Sequence, residues 1–311
     1  MKAAQLKAYG GKEAVVINEI SKPEVGEGQV LVEVHAAGVN PIDWKVQLGY
    51  LKDFVPLELP VTLGGDPAGV VSEVGSNVTE FKAGDEVYGQ GNVLGGGSGS
   101  FAEFTLTKPT SIAKKSGKLS FAEAGAIPLA GVSAVQALYD HIGLTAKQKI
   151  LIHGGAGGIG SMAIQIAKHL GAYVVTTVSA NDVDYVKELG ADEVIDYKVQ
   201  KFEDVVKEFD AVYDTVGGET NKRSYQVLKE GGILVSMTEQ PDEELSKKFQ
   251  VKAIAQGTQV NPQRLSKLSE LLDQGVVTVH IEKTFPLTQA AEALEYLQKT
   301  PPKGKVVVEV K

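Results

Sequence analysis

Residues 154–160 of this chain read Gly-Gly-Ala-Gly-Gly-Ile-Gly, and this stretch decides the fold. An apolar segment typical of a β-strand, Lys149–His153, precedes it, and a segment typical of a helix, Ser161–Leu170, follows it. Glycines permit a tight turn with positive φ and let a ligand approach the backbone closely. The helix then points free N–H groups and the positive end of its dipole at the turn. Strand, glycine turn and helix together predict a site for the pyrophosphate of a dinucleotide.

The composition excludes several classes of protein. The 311-residue chain has a net charge of −8, which argues against nucleic acid as a partner because such a protein needs a basic surface. It contains no cysteine, and its five histidines lack the spacing of metal ligands, so we expect no metal site. No apolar run approaches the ~20 residues that cross a bilayer. We therefore expect a cytoplasmic protein that has no membrane partner.

The pattern of apolar segments changes near Phe121. Before it, short runs separated by Gly and Pro predict a β-rich domain, in which Gly89–Ser100, with six glycines, is predicted to be a surface loop. After it, strands alternate with helical segments, among them a predicted helix at Ser224–Leu228. That alternation is typical of a parallel, doubly wound sheet with right-handed crossovers. The tail is predicted to begin with a strand at Val276–Ile281.

The domain organisation follows from this change of pattern. The tail is expected to return to the first domain, which makes that domain discontinuous. The sequence predicts an α/β protein in which a β-rich domain comprises residues 1–120 plus 276–311. A doubly wound parallel Rossmann domain that binds the dinucleotide comprises residues 121–275.

Further motifs run along essentially the whole chain. They are AAGVNPID at 36–43, GDPAGVV at 65–71, AGDEVYG at 83–89, SFAEF at 100–104, LGAD at 189–192, VIDY at 194–197 and GKVV at 304–307. Together with the glycine turn, these motifs resemble the zinc-independent branch of the medium-chain dehydrogenase/reductase superfamily. Within that branch, the resemblance is to quinone oxidoreductases and NADPH-dependent alkenal or enone reductases, including the zeta-crystallin type.

The resemblance implies a GroES-like catalytic domain beside the Rossmann domain, and a homodimer. It implies hydride transfer from NADPH, with NADH less favoured, to a quinone or an α,β-unsaturated carbonyl. Zinc-dependent relatives carry a cysteine where this chain has Asn40 and a histidine where it has Gly65, so no zinc is expected. A catalytically silent NADPH-binding structural protein of the same fold is the alternative.

The predicted cofactor residues begin with the turn itself, where Ala156, Gly157, Gly158 and Ile159 are expected at the pyrophosphate. About 20 residues farther on, NAD enzymes place an acid on the ribose 2′-hydroxyl, and this chain has Ser179. A serine can instead donate to a 2′-phosphate, which favours NADPH; the alternative is that it only caps a helix.

The residues after Ser179 carry no positive charge as far as Asp184, so Lys198 is the candidate cation for a 2′-phosphate. The resemblance places Tyr197 near the adenosine phosphate, with surface packing as the alternative. Val216 and Met237 follow later strands, at the sheet edge where a doubly wound fold binds its ligand, and core packing is the alternative for both.

In the first domain, Asn40 and Asp43 can cap a helix, and the resemblance also places both at the nicotinamide ribose. Lys305 stands where the family approaches the pyrophosphate or the nicotinamide amide, unless it is a solvated lysine of the tail. Tyr50 is the candidate proton donor or substrate-orienting residue, although the tyrosine of related reductases lies one position later. The alternative is a surface tyrosine, with water supplying the proton.

Overall fold

The computed structural model describes residues 1–91 and 98–311. Half of the predicted loop Gly89–Ser100, residues 92–97, lies outside the described residues. The strands are β1 Lys2–Leu6, β2 Val15–Glu19, β3 Val30–Val39, β4 Val61–Thr62, β5 Asp66–Val74, β6 Glu86–Gly89, β7 Phe104–Thr107, β8 Ile112–Lys114, β9 Lys149–His153, β10 Tyr173–Val178, β11 Glu193–Asp196, β12 Phe209–Asp214, β13 Leu228–Ser236, β14 Lys252–Ala255, β15 Ile281–Pro286 and β16 Lys305–Glu309.

Most of the α-helices connect consecutive strands in the later part of the chain. They are α1 Pro41–Gln47, α2 Phe121–Ala126, α3 Pro128–Val135, α4 Gly158–His169, α5 Val183–Glu188, α6 Phe202–Val205, α7 Glu219–Ser224, α8 Glu243–Phe249, α9 Pro262–Asp273 and α10 Ala290–Lys299. A π-helical segment, Gln136–His141, continues the chain directly after α3.

The chain divides into two compact units. The first unit comprises Met1–Leu129, Val260–Asp273 and Val279–Lys311, and the second comprises Ala130–Gln259 and Gln274–Thr278. These limits differ from the predicted domain limits, because residues 121–129 and 260–273 group with the N-terminal residues.

The first unit is built on two sheets. One has the order β15-β16-β3-β5-β6-β8, with β7 also paired to β3, and the other has the order β2-β1-β4. The C-terminal strand β16 runs antiparallel to β3, with Val307 opposite Gly38. This pairing buries Val306 and Val308 in a core with Val34 and places the start of β16 beside the end of β3.

The second unit is a six-stranded parallel sheet with the order β11-β10-β9-β12-β13-β14. The chain moves outward from β9 through β10 to β11, then returns to the other side of β9 and continues through β12 to β14. The carboxyl ends of β9 and β12 therefore form the switch point at which doubly wound sheets bind ligands. The predicted α/β fold with a doubly wound parallel sheet is confirmed.

Two predicted elements are wrong. The α-helix expected at Ser224–Leu228 is only a 3₁₀ turn, Tyr225–Val227, because α7 ends at Ser224 and β13 begins at Leu228 to pair with β12. The strand expected at Val276–Ile281 begins only at Ile281. Thr278 forms its backbone hydrogen bonds with the side chain of Gln165, at 2.9 and 3.1 Å, which replaces the pairing that a neighbouring strand would supply.

Candidate functional site

The turn between β9 and α4 depends on its glycines. Gly154 has φ of +74°, which favours glycine. A Cβ on Gly155 would lie 2.0 Å from Thr176 Oγ1, and a Cβ on Gly160 would lie 2.2 Å from the Gly154 carbonyl oxygen. These glycines therefore let the chain turn tightly and let α4 pack closely on the strand, as the glycines of dinucleotide-binding turns do.

Helix α4 begins at this turn with an uncapped amino terminus. Gly157 is its N-cap residue, no side chain caps it, and Ser161 N–H donates the first helical hydrogen bond to the Gly157 carbonyl at 2.9 Å. Within the described part of the chain, the N–H groups of Gly158, Ile159 and Gly160 have no acceptor. Three free donors at the positive end of a helix dipole match the oxygens of a pyrophosphate. The turn therefore fits a dinucleotide.

The turn after β12 is held by a buried carboxylate that the sequence reasoning missed. Asp214 is fully buried and accepts hydrogen bonds from Val216 N–H at 2.9 Å, Gly217 N–H at 3.0 Å and Asn221 Nδ2 at 2.8 Å. This arrangement leaves the Val216 side chain 54% exposed, so the core-packing alternative for Val216 is wrong. Met237 is half-buried at the end of β13, and its N–H donates to the Asp214 carbonyl at 2.9 Å.

His153, the last residue of β9, is a structural residue. Its ring is fully buried, with Nδ1 3.0 Å from Thr177 Oγ1 and Nε2 3.0 Å from Ser224 Oγ. Burial lowers the His153 pKa to about 4, so the ring is neutral near pH 7 and links two neighbouring segments by hydrogen bonds.

Ser179 follows β10 and does not present a free hydroxyl. Its Oγ donates to Asp182 Oδ2 at 2.7 Å, and Asp182 N–H donates back to the Ser179 carbonyl at 2.9 Å. Ser179 is the N-cap residue of the short 3₁₀ turn Ala180–Asp182, but its side chain does not cap that turn. Asp182, which was not among the predicted cofactor residues, therefore holds its carboxylate against Ser179, which was.

Tyr197 and Lys198 lie at the same edge of the sheet as Ser179. Strands β10 and β11 are parallel neighbours, and Tyr197 N–H donates to the Val178 carbonyl at 3.1 Å. Tyr197 is 59% exposed, and Lys198 is exposed with its N–H donating to Asp196 Oδ1 at 3.0 Å. The structure thus brings these three predicted residues together, with Asp182 added.

In the first unit, four buried polar residues form a group that we call the Asn40 cluster: Asn40, Asp43, Asp66 and Lys305. Each is at most 4% exposed. Asn40 Nδ2 donates to Asp66 Oδ2 at 2.9 Å, while Lys305 Nζ donates to Asn40 Oδ1 and, at 3.2 Å, to the Val39 carbonyl. The Asn40 amide therefore bridges the lysine ammonium and the Asp66 carboxylate.

The cluster settles two of the open alternatives. Asp43 lies in the first turn of α1 as expected and accepts a hydrogen bond from Asn40 N–H at 2.8 Å, but the Asn40 side chain turns to Asp66 and Lys305. Lys305 is buried, so the reading as a solvated tail lysine is wrong. Asp66 was not predicted as a site residue; the available signal was an acid at the start of a strongly apolar strand.

Burial controls the protonation of the Asn40 cluster. It raises the pKa of Asp43 to about 7, with the Asp66 charge adding to the effect and the Asn40 N–H opposing it. Burial also raises the pKa of Asp66 to about 6, against the lowering effect of the Lys305 charge. The pKa of Lys305 is lowered by burial, which the two carboxylates oppose. Each group is thus nearer to neutrality than it would be in water.

Tyr50 stands apart from these groups. Its side chain is 63% exposed on the turn after α1, where its ring contacts Trp44 edge-on at a centroid distance of 5.9 Å. In the described chain, its hydroxyl has no hydrogen-bond partner.

Across residues 1–91 and 98–311, no group of three or more His, Asp and Glu side chains could hold a metal ion. None of the helices in those same ranges has both the length and the apolar character needed to cross a membrane.

Comparison with known proteins identifies the family. Residues 26–117 match the alcohol dehydrogenase GroES-like domain, and residues 189–308 match the family described as zinc-binding dehydrogenase. The chain is 38% identical over 317 residues to 2-methylene-furan-3-one reductase of Solanum lycopersicum, covering 99% of this chain and 79% of that protein. It belongs to the medium-chain dehydrogenase/reductase superfamily, in the branch of quinone and alkenal oxidoreductases.

Two further similarities support the same branch. The NADPH-dependent alkenal/one oxidoreductase, chloroplastic, of Arabidopsis thaliana is 36% identical over 317 residues, with 99% of this chain and 79% of that protein covered. The quinone oxidoreductase from Coxiella burnetii superposes with a TM-score of 0.91 at 34% identity, over 100% of this chain and 99% of that one. The predicted family, the GroES-like domain and the class of enzyme, an oxidoreductase, are confirmed.

Proposed function

We propose that this member of the branch is an NADPH-dependent, zinc-independent reductase that transfers a hydride to a quinone or to an α,β-unsaturated ketone or aldehyde. The observation that carries the proposal is the uncapped amino terminus of α4 at the glycine turn, beside the switch point of the parallel sheet. The names of the similar proteins, an alkenal/one oxidoreductase that depends on NADPH and a quinone oxidoreductase, support the cofactor and the acceptors.

The second unit supplies the binding groups for the cofactor, which itself supplies the hydride when bound. The N–H groups of Gly158, Ile159 and Gly160 bind the pyrophosphate, and Ala156 and Gly157 let it approach the backbone. Val216, which the Asp214 carboxylate holds exposed at the end of β12, gives an apolar surface for the nicotinamide half together with Met237.

The Asn40 cluster acts as a rigid support for the nicotinamide ribose. Most of its hydrogen-bonding capacity is used internally, so its members cannot reorient freely. Asn40 Nδ2 keeps one proton beyond the hydrogen bond to Asp66, and Lys305 Nζ keeps one beyond its two acceptors. Those two donors are the groups we assign to the ribose hydroxyls.

Zinc independence rests on the donor set. At the positions of the zinc ligands in zinc-dependent relatives, this chain has an amide that is already bridging two partners and a glycine, Gly65. A quinone or an enone is already electrophilic, so its reduction does not need a Lewis acid to polarise it. We therefore expect the reductase activity to persist after exhaustive treatment with a metal chelator.

The oligomeric state and the location also remain proposals from the sequence. We propose a cytoplasmic homodimer that works without a membrane or nucleic acid. Light scattering behind size-exclusion chromatography tests the dimer, and a mass of one chain would contradict it.

One experiment tests the function as a whole. The purified protein is titrated with NADPH and NADH by nicotinamide fluorescence, and turnover is then followed as loss of nicotinamide absorbance with quinones, alkenals and enones. We expect binding followed by oxidation with at least one acceptor class. Failure to bind either nucleotide would overturn the proposal. Tight binding without oxidation by any acceptor would favour the alternative, a silent NADPH-binding structural protein.

A further inference from the structure

The residues that follow β10 are the ones that distinguish NADH from NADPH in dinucleotide-binding sheets. In dinucleotide-binding sheets, an acid about 20 residues after the glycine turn accepts from the 2′-hydroxyl, and a nearby cation accommodates a 2′-phosphate. The sequence has a serine at that place, Ser179, and the absence of an acid there is the usual sign of NADPH. The structure changes this expectation, because a carboxylate lies beside the Ser179 hydroxyl.

That carboxylate belongs to Asp182 and is fixed by two hydrogen bonds. Its Oδ2 accepts the Ser179 hydroxyl proton at 2.7 Å, and its N–H donates to the Ser179 carbonyl at 2.9 Å. A serine hydroxyl has a single proton. While Ser179 gives it to Asp182, it can offer a phosphate only lone pairs, and the nearest charge to it is negative.

Asp182 lies close enough to Tyr185 to affect the titration of that tyrosine. Tyr185, on α5, has its pKa raised by burial and further by Asp182, while a hydrogen bond to the Ser161 side chain opposes the rise. Ser161 lies one residue after the free N–H groups of α4. Strands β9 and β10 are parallel neighbours, with His153 opposite Thr177, so the glycine turn and the Ser179–Asp182 turn follow adjacent strands at the same edge of the sheet.

The carboxylates at this edge lie nearer to Ser179 along the chain than the cations do. From Ser179 through α5 the basic residue is Lys187, in the last turn of the helix, whereas Asp182 and Asp184 come earlier. Lys198, after β11, is the cation at the strand ends, and its exposed side chain has water as a competing partner.

We propose that Asp182 is the residue that sets cofactor selectivity in this enzyme: it repels a 2′-phosphate and accepts from a ribose 2′-hydroxyl, so the chain discriminates only weakly between NADPH and NADH. This inference rests on the proposed function, since it concerns the cofactor of that reaction. It differs from the expectation of strong NADPH selectivity that the absence of an acid at Ser179 gives by itself.

The test measures dissociation constants for NADPH and NADH by nicotinamide fluorescence in the whole protein and in two variants. Asp182→Asn removes the charge and keeps an oxygen that accepts from Ser179. Asp184→Asn, on the exposed side of α5, removes an equal charge two residues away and is the matched control. We expect the parent to bind the two nucleotides within about tenfold of each other. The Lys198 ammonium attracts a 2′-phosphate, the Asp182 carboxylate repels it, and solvent screens both charges.

In Asp182→Asn the ratio of NADPH to NADH affinity should rise about tenfold, and in Asp184→Asn by less than about twofold. A parent that prefers NADPH more than about a hundredfold, or an equal shift in both variants, would overturn the inference. So would an unchanged ratio in Asp182→Asn. Loss of binding of both nucleotides in the parent is a separate result, because it contradicts the proposed function and leaves no selectivity to measure.

A third variant separates the two residues of the pair. Ser179→Ala removes the hydroxyl and leaves the carboxylate of Asp182. If the Ser179 hydroxyl were the phosphate donor, NADPH affinity would fall while NADH affinity stayed the same. Under our proposal, the ratio in Ser179→Ala stays within about twofold of the parent, and a selective loss of NADPH contradicts it.

Discussion

The Asn40 cluster and the strand-end group of Ser179, Asp182, Tyr197 and Lys198 both contain predicted cofactor residues, yet they differ physically. The members of the Asn40 cluster are at most 4% exposed and satisfy one another through the bridging amide of Asn40. The strand-end group is open, with Tyr197 59% exposed and Lys198 exposed. A closed network fixes geometry, whereas an open one can exchange water for a ligand and can discriminate between ligands.

The difference predicts where substitutions act. Changes inside the Asn40 cluster should alter folding stability first, because they leave charges in a nonpolar interior. Changes at the strand ends should alter binding and leave stability nearly unchanged, because water replaces whatever is removed. The following predictions test that division in order of decreasing effect.

The largest effect is expected from Lys305→Met. This change keeps most of the side-chain volume but removes the cation that faces Asp43 and Asp66, so two carboxylates remain buried without a positive partner. We expect the free energy of unfolding at pH 7 to fall by about 3 kcal/mol or more. Urea unfolding followed by circular dichroism measures it, with exposed Lys252→Met as the control, expected within about 0.5 kcal/mol. A loss below about 1 kcal/mol would show that the cluster is not held by its charges.

The next effect is a pH dependence of stability that comes from the same cluster. The folded pKa values of Asp43, about 7, and Asp66, about 6, lie above the ordinary value of 3.8, so the folded state binds more protons than the unfolded state between these limits. The free energy of unfolding should therefore fall as pH rises from 4 to 7, by about 1 kcal/mol per pH unit for each titrating group. The lowered pKa of Lys305 acts in the opposite direction, in a more alkaline window.

Asp43→Asn tests the assignment of this slope. The asparagine oxygen can still accept from Asn40 N–H, but the group no longer titrates, so the decrease in stability between pH 4 and 7 should become shallower. Exposed Asp53→Asn is the matched control and should leave the slope as it was. Equal slopes in the parent and in Asp43→Asn would contradict a raised pKa at Asp43.

What the sequence predicted well is local. The glycine turn, the start of α1 at Pro41 and the carboxyl-edge positions of Ser179 and Tyr197 all depend on residues close in sequence, where turn chemistry and strand order act directly. The partners of Asn40 could not be predicted in this way. Asp66 lies 26 residues away and Lys305 265 residues away, and only the pairing of β16 with β3 brings them together.

The errors have a similar origin. The sequence shows Asp182 as one of two acids close after Ser179, but only the hydrogen bond from Ser179 shows that its carboxylate is fixed beside that residue. The strand wrongly expected at Val276–Ile281 has apolar residues that suit a strand. A distant side chain, Gln165, takes the hydrogen bonds of Thr278, and no local pattern reports that contact.

A smaller effect, mainly on nucleotide binding, is expected from Gly157→Asp at the glycine turn. Gly157 has φ of −74° and ψ of 174°, and a Cβ there would lie 3.5 Å from the Gly154 carbonyl oxygen, so a side chain fits without strain. Aspartate is a favoured N-cap and should stabilise α4 by a few tenths of a kcal/mol. Its charge would nevertheless repel a pyrophosphate, so nucleotide affinity should fall at least about tenfold.

Gly157→Ser is the matched control, since serine caps a helix equally well and carries no charge. It should lower nucleotide affinity by clearly less than Gly157→Asp does in the same fluorescence titration, because its neutral hydroxyl competes for the N–H groups but does not repel the pyrophosphate. If Gly157→Asp binds nucleotide as tightly as Gly157→Ser, the pyrophosphate does not lie at the amino terminus of α4, and the cofactor assignment loses its main support.

The smallest effect is expected from Tyr50→Phe. The variant keeps the ring against Trp44 and removes only a hydroxyl that has no partner in the described chain. Because Tyr50 is 63% exposed, water can deliver the proton that the reduced acceptor needs, and kcat/KM with an enone should stay within about threefold of the parent. General acid catalysis by a positioned side chain contributes at least about a hundredfold, so a loss of that size would make Tyr50 the proton donor. A quinone acceptor measured in parallel separates the cases, since both the parent and the variant should reduce it equally if the hydroxyl serves only the enone.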